Sequence, residues 1–129
     1  MKNQVNYQQY VYDFAVDGGA VSTISLSGKA GVLSLPLKAV IKSLTIHVVT
    51  ACTSGGSATV SLGNTASATA YMAATAVASL TLDSIQTTTG VPNVVNAANE
   101  QDMTLSIAVA ALTAGKIEVH VEYYEGEAA

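Results

Sequence analysis

The sequence has no tryptophan and no arginine, a single cysteine and few charged residues of either sign. Charged residues make up 11% of the chain, against about 25% in an average globular domain, whereas hydrophobic residues make up 50%. Arginine dominates the recognition of phosphates and bases, so its absence argues against nucleic-acid binding. A disordered chain would show the opposite balance of charge and hydrophobicity. We therefore expect a folded domain with an unusually uncharged surface, part of which a partner covers.

The chain also lacks the usual signs of export or membrane contact. Its one cysteine, Cys52, excludes an internal disulfide and leaves the redox compartment open. Polar residues follow Met1, so the apolar stretch of a secretory signal peptide is missing. No run is long enough for a transmembrane helix, and no basic amphipathic helix is apparent. We expect synthesis in the cytosol and no association with a membrane.

The length of 129 residues suits one domain with a genuine core. Polar residues 1–9 predict an extended N-terminal arm, of the kind that is loose unless a neighbour holds it. Residues 10–125 then form the domain, and residues 126–129 form a C-terminal tail.

Apolar and polar residues alternate along most of the domain, which is the pattern of half-buried β-strands. Turn residues such as the Asp17-Gly18-Gly19 sequence separate the alternating segments. The clearest strands are predicted at residues 10–16, 21–27, 39–51 and 57–62. The segment 39–51 is apolar on both of its faces, so we expect it to be covered on both sides. The pattern predicts an all-β, antiparallel, jelly-roll-like β-sandwich, with the strand order left open.

Residues 102–125 show the cleanest alternation and predict a β-hairpin. Its arms carry Met103, Leu105, Ile107 and Val109, and Ile117, Val119, Val121 and Tyr123, on the buried face. Residues 111–116 supply the reversal, where Gly115 can adopt a positive φ. The hairpin needs a second apolar sheet above it to be stable.

Residues 67–80 interrupt this pattern because they are rich in alanine. Alanine favours helix, and Met72, Ala76 and Leu80 would share one face of a helix. We predict one short helix here and at most one in the domain.

Polar side chains form no recognisable catalytic arrangement. Glu118, His120 and Glu122 share one face of the last strand, and His47 from a neighbouring strand could complete a metal site. Residues i and i+2 of a strand lie roughly 6.5–7 Å apart, however, which is too far for joint ligation without help. A row of solvated side chains is the preferred interpretation, with no metal and no cofactor. With no nucleophile motif either, we expect no enzymatic activity.

Tyrosines are the one cluster to which we attach a function. They lie in and next to the first strand and at the end of the last one: Tyr7, Tyr10, Tyr12, Tyr123 and Tyr124. Tyr12 and Tyr123 are predicted in the core. Tyr7, Tyr10 and Tyr124 are predicted at an interface, where tyrosine is a common anchor. Exposed tyrosines could instead stack on sugar rings, as in a carbohydrate-binding module, although the scarcity of aromatic residues argues against that class.

Several stretches are similar to small structural proteins of tailed bacteriophages. They are LPLKAVI at 35–41, TSGGSATV at 53–60, AATAVAS at 73–79 and LSIAVAALTAGK at 105–116, the last continuing to Tyr123. The closest type is the head decoration, or cement, protein. Phage tail, neck and fibre components share this Ala/Ser/Thr/Val-rich composition and remain an alternative.

The resemblance implies a β-sandwich subunit without catalytic activity. Such a subunit is made in the host cytoplasm, binds the major capsid protein on the outer surface of the virion capsid and stabilises the shell. It also implies a homo-oligomer, a trimer or a dimer, with a terminal arm that reaches a neighbouring subunit. No set of functional residues is transferred by it.

Overall fold

The computed structural model describes residues 5–29, 32 and 34–125, apart from the side chain of Glu125, and folds them into two antiparallel β-sheets. The strands are β1 Val5–Asp13, β2 Ser22–Ser25, β3 Ala39–Ser54, β4 Thr59–Gly63, β5 Met72–Ala76, β6 Ile85–Gln86, β7 Asn93–Val94, β8 Thr104–Ala108 and β9 Leu112–Glu125. One four-residue helix, α1 (Phe14–Asp17), follows β1, and single 3₁₀ turns occupy Val77–Ser79 and Ala98–Glu100. In the described part of the chain, no helix is long and apolar enough to cross a membrane.

The strands pair in a nested order. The larger sheet runs β1-β9-β3-β6, with β7 also paired to β3, and the smaller sheet runs β2-β8-β4-β5. The first strand therefore pairs with the last and the second with the one before the last, while β3 pairs with β6 and β7, and β4 pairs with β5. This order resembles that of a jelly roll, in which two Greek keys close a double sheet. The predicted all-β sandwich is confirmed, and the structure supplies the strand order.

The core lies between the two sheets and is built from every second side chain of the central strands. Its members from β3, β9, β4 and β8 are all at most 5% exposed and include Leu44, Ile46, Val48, Ile117, Val119, Val121, Val60, Leu62, Leu105 and Ile107. Each such side chain contributes about 1.5–3 kcal/mol by leaving water. On the opposite face of β3, Thr45 is exposed and His47 is half-buried. The expectation that β3 is covered on both sides is therefore wrong within this subunit.

The first strand begins and ends earlier than its pattern predicted. Residues 5–9, assigned to the arm, form the first half of β1 and pair with β9 from Val5 opposite Tyr124 to Gln9 opposite His120. Residues 1–4 and 126–129 lie outside the described residues. At the other end, Asp13 Oδ1 accepts a hydrogen bond from Ala15 N, which caps α1 and stops the strand.

Residues 67–80 contain no α-helix, so the helix prediction is wrong. Residues 72–76 form β5, which pairs with β4 along one edge of the smaller sheet, and a 3₁₀ turn follows. The helix propensity of alanine is worth less than 1 kcal/mol per residue. Pairing with β4 and burial of Met72, which is 2% exposed, outweigh that preference.

The predicted terminal hairpin is also wrong, although both of its strands exist. β8 pairs with β2 and β4 in the smaller sheet, whereas β9 pairs with β1 and β3 in the larger one. Residues 109–111 carry the chain from one sheet to the other, and Val109 lies on the surface rather than in the core. Strands that face each other across a core show the same alternation as strands side by side, so the pattern could not separate the two cases.

A side chain from the β2–β3 connection covers the outer edge of β1 along its C-terminal half. The Nζ atom of Lys29 donates to the carbonyl of Val11 and lies 2.7 Å from Asp17 Oδ2. The same Asp17 carboxylate accepts from the backbone N–H of Asp13 at 3.0 Å. These contacts join β1, α1 and the loop that carries Lys29, and they protect backbone groups that point away from β9.

Candidate interaction surface

The outer face of the larger sheet carries most of the distinctive polar side chains. Its register is set by β9, whose residues stand between partners on β1 and β3. Three successive rows across the sheet are Tyr7–Glu122–Ser43, Gln9–His120–Thr45 and Val11–Glu118–His47. Glu118, His120 and Glu122 thus share one face of β9, as predicted, and His47 of β3 lies directly opposite Glu118.

A chain of polar contacts crosses this face. The ring of Tyr7 stacks on His120, with centroids 5.7 Å apart, and the Tyr7 hydroxyl hydrogen-bonds to His120 Nδ1. On its other side, His120 Nε2 lies 3.2 Å from Glu118 Oε1. His47 Nδ1 lies 4.0 Å from the same oxygen, and its Nε2 lies 3.1 Å from Asp83 Oδ1. Both imidazoles thus lie next to Glu118, and the contacts link β1, β9 and β3.

Two observations bear on the chemistry that these residues and the single cysteine can support. Within the described ranges, no group of three or more histidine, cysteine, aspartate or glutamate side chains is arranged to hold a metal ion. Cys52 lies on the inner face of β3, where burial raises the pKa of its thiol to about 11. At neutral pH such a thiol is almost entirely protonated, and the nucleophilic thiolate is scarce.

Two of the three tyrosines predicted at an interface lie on the outer face. Tyr7 is 58% exposed, and Tyr124 stands half-buried in the next row between Val5 and Val40. We call these four residues, Val5, Tyr7, Val40 and Tyr124, the tyrosine patch. Val5 is itself 47% exposed, so the patch presents an apolar corner at the end of the sheet where β1 begins. The sequence interpretation missed Val5 because it started the first strand at residue 10. It missed Val40 because only the pairing of β3 with β9 brings Val40 next to Tyr124.

Tyr10 does not belong to this surface. It is fully buried, because even-numbered residues of β1 point inward and odd-numbered ones point outward. Burial raises its pKa well above the ordinary value of 10, with nearby Tyr123 and Tyr71 adding to the effect. Tyr12 is in the core as predicted, where its hydroxyl donates to Gly18 O at 2.6 Å, and Tyr123 packs against the core.

These features define the class of the molecule. It is a jelly-roll-like β-sandwich with an apolar core between its two sheets, and the distinctive polar and aromatic groups of the described residues lie on an outer sheet face.

The same fold occurs in a solved virus structure. A chain of the cyanophage Pam1 capsid asymmetric unit superposes on this chain with a TM-score of 0.66 and 21% sequence identity, over 95% of this chain and 85% of that chain. At this identity the likeness establishes a shared fold. No family model matches the chain, and no curated protein matches it significantly.

Proposed function

We propose that this chain is a non-enzymatic structural protein of a phage virion, and specifically a decoration protein that binds the outer surface of the capsid. The observation that carries the proposal is the likeness to the Pam1 capsid chain, which extends over 95% of this chain and 85% of that one. A likeness of that extent covers both sheets of the sandwich and most of the Pam1 chain. The low charge of the sequence and its similarity to phage structural proteins support the same conclusion.

The proposed mechanism is stabilisation by binding. A ligand that binds the assembled shell but not its dissociated subunits shifts the assembly equilibrium toward the shell. In this proposal the major capsid protein is the partner, and the tyrosine patch supplies aromatic anchors for the contact. A trimeric or dimeric decoration protein would engage several capsid subunits at once, so that weak individual contacts sum to stable attachment.

The main alternative is a structural component of the tail, neck or fibre, because such proteins share the composition on which the resemblance rests. A carbohydrate-binding module is less well supported. Such modules bind sugars with exposed aromatic rings, and this sequence has no tryptophan and only 5% aromatic residues.

The test is binding to shells assembled from the major capsid protein encoded in the same genome. Purified protein should co-sediment with these shells at a fixed ratio and raise the temperature at which they dissociate. Unassembled capsid protein is the control and should bind much more weakly. Binding to purified tails but not to shells would favour the tail alternative, and binding to a glycan array alone would favour the carbohydrate module.

Variants of the tyrosine patch test the assigned surface. Tyr7→Ser and Tyr124→Ser should each weaken shell binding about tenfold or more, as expected for aromatic anchors of an interface. Ile85→Ser is the matched control, because Ile85 is 62% exposed on the opposite edge of the same sheet. Equal binding by all three variants would remove the tyrosine patch from the interface.

A further inference from the structure

One end of the sandwich is built from three connections between strands. They are residues 14–21 between β1 and β2, residues 55–58 between β3 and β4, and residues 109–111 between β8 and β9. Hydrogen bonds tie them together. Leu112 N donates to Gly19 O at 2.7 Å, and Ser54 Oγ donates to Ala111 O at 2.6 Å. This end lies opposite the tyrosine patch, because β1 runs from the patch at Val5 to α1 at the other end.

Three valines project from this end into solvent. Val16 is 74% exposed, Val21 is 55% exposed and Val109 is 73% exposed. We call them the valine end. Asp17 is the one charged residue of the three connections, and its carboxylate is already paired with Lys29. Exposed apolar residues need no explanation when they are scattered singly, so a contact surface here requires a second observation.

Val109 adds an independent observation, because its backbone is strained. Its φ is +74°, in the left-handed region. A β-branched residue in this region is a genuine outlier, whereas glycine or asparagine adopts it readily. The surrounding hydrogen bonds, including Ala110 N to Ala108 O at 2.9 Å, hold the turn in this shape. A solvent-exposed valine therefore occupies a position that folding alone would give to glycine, which is the pattern of strain kept at a functional site.

The apolar area of the valine end limits how strong a contact it can make, and therefore which partner it fits. Three partly exposed valines supply roughly 200–300 Å² of apolar surface, since one such side chain offers roughly 100 Å². A stable pairwise interface needs about 800 Å² from each partner. The valine end is thus too small to hold two free copies of this chain together. It suits one of several contacts made simultaneously on an assembly.

We infer that the valine end is a second docking surface, and that it contacts an uncharged, apolar site on a protein of the shell. The inference rests on the proposed function and deepens it. A subunit that cements a shell must hold two neighbouring shell subunits, and the tyrosine patch and the valine end lie at opposite ends of the sandwich. Contact at both ends lets one copy bridge two capsid proteins.

The test combines shell binding with thermal unfolding of the free protein. Val109→Gly should raise the melting midpoint by about 3–6 °C because it relieves the strained φ, yet weaken binding to assembled shells tenfold or more. Val21→Ser should weaken binding similarly with little change in the midpoint. Leu82→Ser is the matched control, since Leu82 is 64% exposed on the β5–β6 connection, and it should leave binding unchanged.

The outcomes distinguish a failure of the valine-end inference from a failure of the proposed decoration function. Suppose that the wild-type protein binds shells and that the Val109→Gly and Val21→Ser variants bind them equally well. The valine end is then not a docking surface, although the proposed function stands. A midpoint that fails to rise in Val109→Gly overturns the strain argument. Loss of a solution oligomer in these variants, with shell binding intact, assigns the valine end to self-association instead. If wild-type protein does not bind shells, both proposals fail.

Discussion

At the scale of single residues, a close contact between β3 and β9 depends on a glycine. Gly115 has a φ of +148°, and a Cβ atom added to it would lie 2.7 Å from Cys52 Sγ and 3.2 Å from Cys52 Cα. The register between β3 and β9 shifts at this point, between Thr50 and Thr53. Gly115 therefore lies inside β9 and allows β9 to approach an irregular stretch of β3, rather than reversing a hairpin.

Gly115→Ala should destabilise the protein by roughly 2–4 kcal/mol, because the added methyl group meets backbone and sulfur atoms at a φ that alanine disfavours. Gly55→Ala is the matched control. A Cβ atom at Gly55 meets nothing within 4 Å, so the change should stay within ~1 kcal/mol. Denaturant unfolding of both variants measures the difference. Equal stabilities would show that the contact with Cys52 is unimportant.

At the scale of elements, the ion pair between Lys29 and Asp17 joins pieces that have little core of their own. The helix α1 has only four residues, none of them buried, and an isolated helix of that length is unstable. Asp17 bonds to the N–H of Asp13 and to Lys29, while Lys29 also reaches Val11 O. The side chain of Asp17 is 9% exposed, so the pair is screened less than an ordinary surface pair.

Lys29→Met should lower the free energy of unfolding by roughly 1–3 kcal/mol, since it leaves the largely covered carboxylate of Asp17 without its cation. Lys42→Met serves as the control. Lys42 is exposed on β3, and its loss should change stability by less than ~0.5 kcal/mol. Chemical denaturation monitored by tyrosine fluorescence measures both. Equal effects from the two substitutions would refute a special role for the Lys29–Asp17 pair.

At the scale of the whole molecule, the fold closes by pairing its first strand with its last. β1 covers one edge of β9 along nine residues and contributes Tyr10 and Tyr12 to the core. The N-terminal segment predicted as a binding arm is therefore in large part structural. Removing residues 1–9 to test such an arm would also remove residues 5–9 of β1.

Deleting residues 1–9 should lower the melting midpoint by more than 10 °C or cause aggregation, because it exposes the edge of β9 and part of the core. Deleting residues 1–4 should leave the midpoint within about 2 °C. Differential scanning calorimetry of the two truncations makes the comparison. If the longer truncation melts like the full chain, residues 5–9 do not stabilise the fold.

The shorter truncation also isolates the proposed arm. If residues 1–4 contact a neighbouring subunit, their removal should weaken binding to assembled shells while leaving the midpoint unchanged. Full binding by this truncation would confine the interface to the sandwich itself.

The sequence by itself determined the local properties of this protein. Alternation gave β3, β4, β8 and β9, and it gave the inward side chains of β9 and those of β8 up to Ile107, because the side of a strand on which a residue lies depends only on its neighbours along the chain. It also gave the polar row of Glu118, His120 and Glu122, the buried position of Tyr12 and the two-sheet class.

Only the tertiary structure decided which strands are neighbours. Alternation is the same for strands that pair side by side and for strands that face each other, so it could not show that β8 and β9 lie in different sheets. Nor could it show that alanine-rich β5 is a strand, because pairing with β4 outweighs a small helix propensity. The tyrosine patch and the valine end join residues far apart in sequence, and such long-range proximity is fixed by packing rather than by any local pattern.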